Sequence, residues 1–238
     1  MFDKRVTIFV GHFGSGKTEI AINGALDLAR SGASVTLVDL DVVKPYFRSR
    51  SARELLKERG IRLLAPGGDN IFADLPIVIP EIRSGLREGT SKLILDVGGD
   101  DTGARVLGSL SDVVPVEDTD VLLVLNFRRP FTKNVDEAVK MVREIEAVSK
   151  MSVTGLISNT HLMAETTEAI VVEGLDSARE TSRRLEIPLA GVCAEDGSAE
   201  ELKRADLPCE VFRLRRIVRP PFEKHPEQRT SGPLFVLN

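Results

Sequence analysis

Between the apolar run Val6–Val10 and the next helical stretch lies Gly11-His12-Phe13-Gly14-Ser15-Gly16-Lys17-Thr18. It fits G-x-x-x-x-G-K-[ST] at every fixed position, in the strand–loop–helix setting that gives the pattern its meaning. Glycines let a backbone wrap closely round phosphate oxygens with its N–H groups turned inward. A helix beginning near Lys17 offers the positive end of its dipole to the same anion. The expected phosphate contacts are therefore Phe13, Gly14, Ser15, Gly16, Lys17, Thr18 and Glu19. Lys17 reaches the β- and γ-phosphates, and the Thr18 hydroxyl binds Mg²⁺.

Two further acidic positions fall at the ends of apolar runs. Val35-Thr36-Leu37-Val38-Asp39-Leu40-Asp41 places two carboxylates two residues apart, on the same side of an extended chain. Leu93-Ile94-Leu95-Asp96-Val97-Gly98-Gly99 ends in a D-x-x-G step. An acidic residue there is what a phosphate-loop site uses around Mg²⁺, and Gly99 can offer its N–H to a γ-phosphate. Ligands of open parallel sheets gather at the carboxyl ends of strands, so Asp41 and Asp96 join Thr18 as candidate magnesium-side groups. Asp39 stays open between a site role and a turn role. Asp100, Asp101 and Asp112 read as solvated loop residues.

These residues need a scaffold, and the pattern supplies one. Short apolar runs alternate with longer helical stretches, the signature of an α/β protein whose mostly parallel sheet is covered on both faces in three α/β/α layers. Strands are expected at Val6–Val10, Ser34–Val38, Ile61–Leu64, Lys92–Leu95, Asp120–Leu125, Val153–Ile157 and Leu189–Cys193. Helices are expected at Glu19–Ser31, Ser49–Arg59, Ile79–Arg87, Thr132–Lys150, Thr166–Glu186 and Ser198–Arg204. Within Thr132–Lys150, Val135, Ala138, Val139, Val142, Ile145 and Val148 recur at helical spacing. Residues 1–210 read as one domain. Residues 211–238, with Arg213, Arg215, Arg216 and Arg219 before Pro220-Pro221, read as an irregular extension over its surface.

Composition narrows the function further. With 238 residues, 42% of them hydrophobic, the chain buries a core without staples, and two cysteines are too few for a disulfide framework or a Cys-cluster metal site. A net charge of −4 argues against a surface built to hold nucleic acid. The arginines near residue 215 lack interleaved aromatics for base stacking, so nucleic acid is not the expected partner. The apolar run after Arg5 is shorter than a signal-peptide core and far short of the ~20 residues of a membrane helix. The expectation is a soluble cytoplasmic protein with no membrane partner.

With Val38-Asp39-Leu40-Asp41 and Asp96-x-x-Gly99 set beside the phosphate loop, the chain resembles the MinD/ParA/CobQ-type nucleotide-binding family. That family belongs to the wider SIMIBI class, which includes signal-recognition and nickel-insertion GTPases. The resemblance covers about residues 4–205 and rests on three motifs, of which the first is highly specific. It implies a nucleotide-switched ATPase, a nucleoside-triphosphatase often dimeric with nucleotide near the interface, that acts on a protein client. By this resemblance Lys17 and Asp41 are the catalytic pair, Asp41 positioning the attacking water, while Asp96 holds magnesium through water.

The chain departs from that family at His12, where a signature lysine usually stands; a histidine does not replace a permanently charged arm at neutral pH. Arg128 and Arg129, after the fifth strand, are alternative sources of positive charge. A guanine site of the N-K-x-D kind needs an aspartate, and Ser158-Asn159-Thr160-His161-Leu162 carries Leu162 in its place. Asn159 is the candidate contact to an adenine edge, which favours ATP with Mg²⁺. The alternatives are a metallochaperone-like GTPase and an ATP-dependent small-molecule ligase or kinase of the dethiobiotin synthetase/CobQ type. The first is weakened by scattered His12, His161 and His225. The second needs an acceptor pocket, for which Ala65–Asn70 is the candidate lining.

Overall fold

The computed structural model describes residues 2–41, 52–66, 71–99 (backbone alone over 71–78), 101–195, 199, 202, 207 and 209–218. Its elements are β1 (Val6–Val10), α1 (Lys17–Arg30), β2 (Val35–Leu40), α2 (Arg53–Glu58), β3 (Arg62–Leu64), α3 (Ile71–Glu88) and β4 (Lys92–Val97). They continue with α4 (Asp101–Gly108), β5 (Thr119–Leu125), α5 (Val135–Ser149), β6 (Gly155–Ser158), α6 (Glu168–Leu185), β7 (Leu189–Glu195) and β8 (Glu210–Leu214).

The strands form an eight-stranded sheet, all parallel, in the order β3-β2-β4-β1-β5-β6-β7-β8. All five residues of β1 are buried, because this central strand is covered on both sides. Val6, Ile8 and Val10 pack with α3, α4 and α5 through Ile82, Leu86, Leu107, Met141 and Val142. Phe9 points the other way, into a core made with Ile20, Ala21 and Ala25 of α1 and Leu56 of α2. Right-handed crossovers explain the division, since the chain winds one way from β1 to β3 and the other way from β3 onward. The strand order reverses around β1, so the carboxyl end of β1 opens into the crevice where such sheets bind ligands.

Helix ends follow from local chemistry. Asn134 caps α5 by accepting from Glu137 N–H at 2.9 Å, and the Glu137 carboxylate returns to Lys133 N–H at 2.6 Å. Lys150, at φ 58°, ends the helix in the left-handed region.

The structure corrects the sequence reading in four places. Strands β2 and β4 each run two residues beyond their expected ends, so Asp39 and Asp96 lie inside the sheet. Helix α3 starts at Ile71 and not at Ile79. It takes in Pro76 and Pro80, which, being four residues apart, fall on one helix stripe, so that the missing N–H groups lie on one side. Asp101 is not a loop residue; it opens α4, an acidic residue in the first turn where the helix dipole favours it. Residues 211–214, expected to belong to an irregular extension, join Glu210 in the edge strand β8, its Phe212 and Leu214 buried and Arg213 exposed. Phe212 also stacks edge-on against Phe2, whose ring fills the space over Gly24 of α1. Residues 67–70, the body of the candidate acceptor pocket, lie outside the described residues. So do Arg219, His225 and most of the expected helix 198–204.

Candidate functional site

The loop from Gly11 to Gly16 joins β1 to α1 in a backbone path that only glycine accommodates at three points: Gly11 at φ 134°, Gly14 at 75° and Gly16 at 94°. Space makes the same demand. A Cβ on Gly11 would stand 2.6 Å from the Val124 carbonyl, and one on Gly16 would stand 2.2 Å from Asn159 Nδ2. Gly16 is also the N-cap of α1 and brings no capping side chain, which leaves the amides of the first turn to other acceptors.

Side chains hold the loop by its carbonyls. Lys17 Nζ donates to Gly11 O at 2.7 Å and to His12 O at 3.0 Å, and Lys17 is buried. Gly14 O accepts from Asn126 Nδ2 at 3.3 Å and from Arg129 Nε at 3.1 Å. Ser15 O accepts from Asn159 Nδ2 at 2.7 Å. With these four carbonyls occupied by side chains, it is amides of the loop that are left to meet an anion, as in a nest.

The carboxylates meet the loop at the head of α1. Asp39 and Asp96 are register partners on β2 and β4, both fully buried. The Thr18 hydroxyl hydrogen-bonds Asp96. Burial, then the neighbouring Asp39 charge, push the Asp96 carboxyl up to about 7, while Thr18 and Lys17 pull it down. Asp41 N–H donates to Asp39 Oδ1 at 3.1 Å, and its charge also acts on Asp96. Gly99 lies against the other end of the loop, where a Cβ would stand 2.5 Å from Phe13 N. Lys17, Thr18, Asp41, Asp96, Gly99 and Asn159, drawn from four stretches of sequence, thus surround one loop. Among the described residues no group of three or more His, Cys, Asp or Glu forms a ready metal cage. A divalent cation here would take the Thr18 hydroxyl and the Asp96 carboxylate and complete its shell with phosphate and water oxygens.

Other expected residues are placed differently. Glu19 turns away from the loop: its carboxylate accepts from the backbone N–H groups of Ile217 and Val218. Asn23, one turn further along α1, takes Arg215 in both directions, donating to its carbonyl and accepting from its N–H at 2.9 Å each. Residues 215–218 therefore form a strap along α1. Phe13 is exposed, and its part in the loop is played by its backbone. His12 stacks on Phe131 with ring centroids 5.2 Å apart, and burial, then Lys17, lower its pKa. Asn159 has one of its two amide hydrogens on Ser15 O, so it serves the loop as well as being the candidate contact to an adenine edge.

Asn126 and Arg129 were missed as loop ligands. Asn126 is fully buried directly after the apolar run of β5, the same strand-end position that drew notice to the aspartates. Its Oδ1 also accepts from Arg128 N–H at 3.0 Å and His161 N–H at 3.3 Å. His161 stands above Gly16, and burial, then Arg129 and Arg216, lower its pKa to about 4. Cys193 is buried and its thiol is pushed far up by burial, an inert group. A cavity of about 60 Å³ opens behind His12 between Gly98, Gly99, Ala104, Met141 and Glu144. It has room for a few water molecules.

No protein-family model matches the chain, and no curated protein matches its sequence. Among solved structures its fold is similar to chloroplast FtsY from Physcomitrella patens, at 19% identity and TM-score 0.53, over 81% of this chain and 59% of that one. It is also similar to the cell division protein FtsY from Thermotoga maritima, at 21% identity and TM-score 0.50, over 81% of this chain and 62% of that one. The match takes in about six tenths of the length of those two proteins. The fold is the α/β phosphate-loop NTPase architecture, with an all-parallel central sheet. No described helix is long and apolar enough to cross a membrane.

Proposed function

We propose that the chain binds a nucleoside triphosphate with Mg²⁺ on the Gly11–Thr18 loop and hydrolyses it, its nucleotide state switching an association with a protein client or a second copy. The observation that carries this reading is the set of side-chain-held carbonyls of Gly11, His12, Gly14 and Ser15 in a complete phosphate-loop motif. The Ser15 hydroxyl adds to it. Its Oγ is buried with no hydrogen-bond partner among the described residues, a state that costs about 1–3 kcal/mol and that a phosphate oxygen would relieve.

In this reading Lys17 exchanges a carbonyl for phosphate oxygens. Thr18 and Asp96 hold the metal, which supplies charge neutralisation at the transferring phosphoryl group. Asp41 orients the attacking water from the end of β2, and Gly99 offers its N–H beside the loop. ATP is the preferred base reading because Leu162 brings no carboxylate for the guanine N1 and N2 groups. Asn159, which gives one amide hydrogen to Ser15 O, has a second to offer an adenine edge.

Calorimetric titration with non-hydrolysable ATP and GTP analogues in Mg²⁺ tests both levels. Binding of the ATP analogue alone supports the whole reading. A preference for the GTP analogue moves the chain to the GTPase alternative, and binding of neither removes the nucleotide reading.

A further inference from the structure

The turn after β5 folds down onto the phosphate loop. Arg129 N–H and the Thr132 hydroxyl both donate to Asn126 O, at 3.2 and 3.0 Å, which closes residues 126–132 into a tight arch. Within it Phe131 holds φ 71°, a conformation that a bulky side chain adopts only when its surroundings impose it. The arch delivers two groups to the loop: the Phe131 ring onto His12, and the Arg129 stem onto Gly14.

Arg129 is anchored by its middle. Its Nε donates to Gly14 O at 3.1 Å, and its Cδ and Nε lie 3.3 and 3.2 Å from where a Gly14 Cβ would stand. Its two terminal amino groups have no hydrogen-bond or ion-pair partner among the described residues. The neighbouring Arg128, in contrast, is committed to Glu173. Arg129 and Arg216 both bring positive charge to His161 and help to lower its pKa. His12 is held by its stack on Phe131.

We propose that Arg129 is a second phosphate-binding cation, its guanidinium amino groups taking a terminal phosphate oxygen of the nucleotide bound on the loop. Gly14 lies between the Phe13 end of the loop, which meets Gly99, and the Gly16 end, which meets Asn159 and His161. Arg129 therefore meets the loop at its middle, within reach of the phosphates that the loop would hold. A planar guanidinium fixed at Nε presents its remaining N–H groups as a preoriented fork, the geometry that phosphate accepts best. The strained turn is what sets that fork in place. This inference rests on the proposed function.

The test compares the full chain with Arg129→Ala and Arg129→Lys, each titrated with Mg²⁺ and a non-hydrolysable ATP analogue, then with Mg²⁺ and ADP, alongside thermal melting. Arg129→Ala is expected to lose about tenfold or more in triphosphate affinity and much less in diphosphate affinity, with its melting temperature kept. Arg129→Lys is expected to recover part of the loss. Equal losses for the two nucleotides with a lowered melting temperature would make Arg129 a prop for the loop and overturn the proposal, as would unchanged affinities. If the unsubstituted chain binds neither nucleotide, the proposed function fails and this inference with it. If it binds both while Arg129→Ala behaves like it, this inference alone fails.

Discussion

The Asn159 side chain donates to the Ser15 carbonyl at 2.7 Å, tying the end of β6 to the middle of the phosphate loop. Because the bond is buried and sits over Gly16, it fixes loop shape before any ligand arrives. Asn159→Ala should lower stability by roughly 1–3 kcal/mol, the cost of stranding a buried carbonyl. It should weaken ATP and GTP analogues alike. Urea melts and paired titrations decide the matter: a loss confined to ATP would assign Asn159 to the adenine edge.

Gly16→Ala and Gly32→Ala make a matched pair. Both glycines hold positive φ, 94° and 89°, but a Cβ at Gly32 meets nothing within 4 Å while one at Gly16 collides with Asn159. Gly32→Ala should cost about 1 kcal/mol of left-handed strain, and Gly16→Ala clearly more than that together with nucleotide binding. Comparable melting temperatures for the two would show that the Asn159 contact yields easily.

Asp39 and Asp96 bring a pH dependence. The Asp96 carboxyl is raised from 3.8 to about 7, so it favours the folded state most below pH 4, and that contribution is lost as pH climbs through 7. Asp39→Asn keeps an acceptor for Asp41 N–H and removes the neighbouring charge. Its ligand-free melting temperature should exceed that of the unsubstituted protein at pH 8 and converge with it near pH 4. Parallel pH profiles would dismiss the coupling.

Asp41 stands at the carboxyl end of β2, its backbone N–H on Asp39 Oδ1. Asp41→Ala should retain triphosphate binding and slow hydrolysis by tenfold or more, on the order of a general-base or water-positioning contribution. Phosphate release with binding measured in parallel checks it. Unchanged turnover would take Asp41 out of the mechanism.

Asn23→Ala should release the strap at Arg215. Losing two hydrogen bonds at this buried position costs about 1–3 kcal/mol. Faster amide exchange at Arg215 and Val218 with little change in the β1 core is the expected signature; uniform exchange changes would mean that the strap and the core unfold together.

Much of this was written locally in the chain. The phosphate loop and Asp96 declare themselves by residue types within eight positions and by the apolar runs before them, because strand, turn and helix signals are short-range. Asn126 and Arg129 do not, since their roles depend on Gly14 lying 112 and 115 residues away, and only the pairing of β1 with β5 brings them there. β8 escaped because an edge strand of five residues alternates and carries arginine on its open side. α4 escaped because Asp101 and Gly103 weaken a helical pattern, although Gly103 is what lets the helix sit against the Gly98 carbonyl.

The strap along α1 orders events in time. Asn23 leaves the ribosome about 192 residues before its partner Arg215, and Glu19 about 198 before Ile217. Through most of synthesis the first helix therefore stands with its polar face unclaimed, and β1 waits for flanking strands made much later. A parallel sheet of such distant pairings folds slowly. Nascent chains stalled short of residue 215 should thus be chaperone substrates that hold nucleotide poorly, and capture of nucleotide would report that translation had passed the strap.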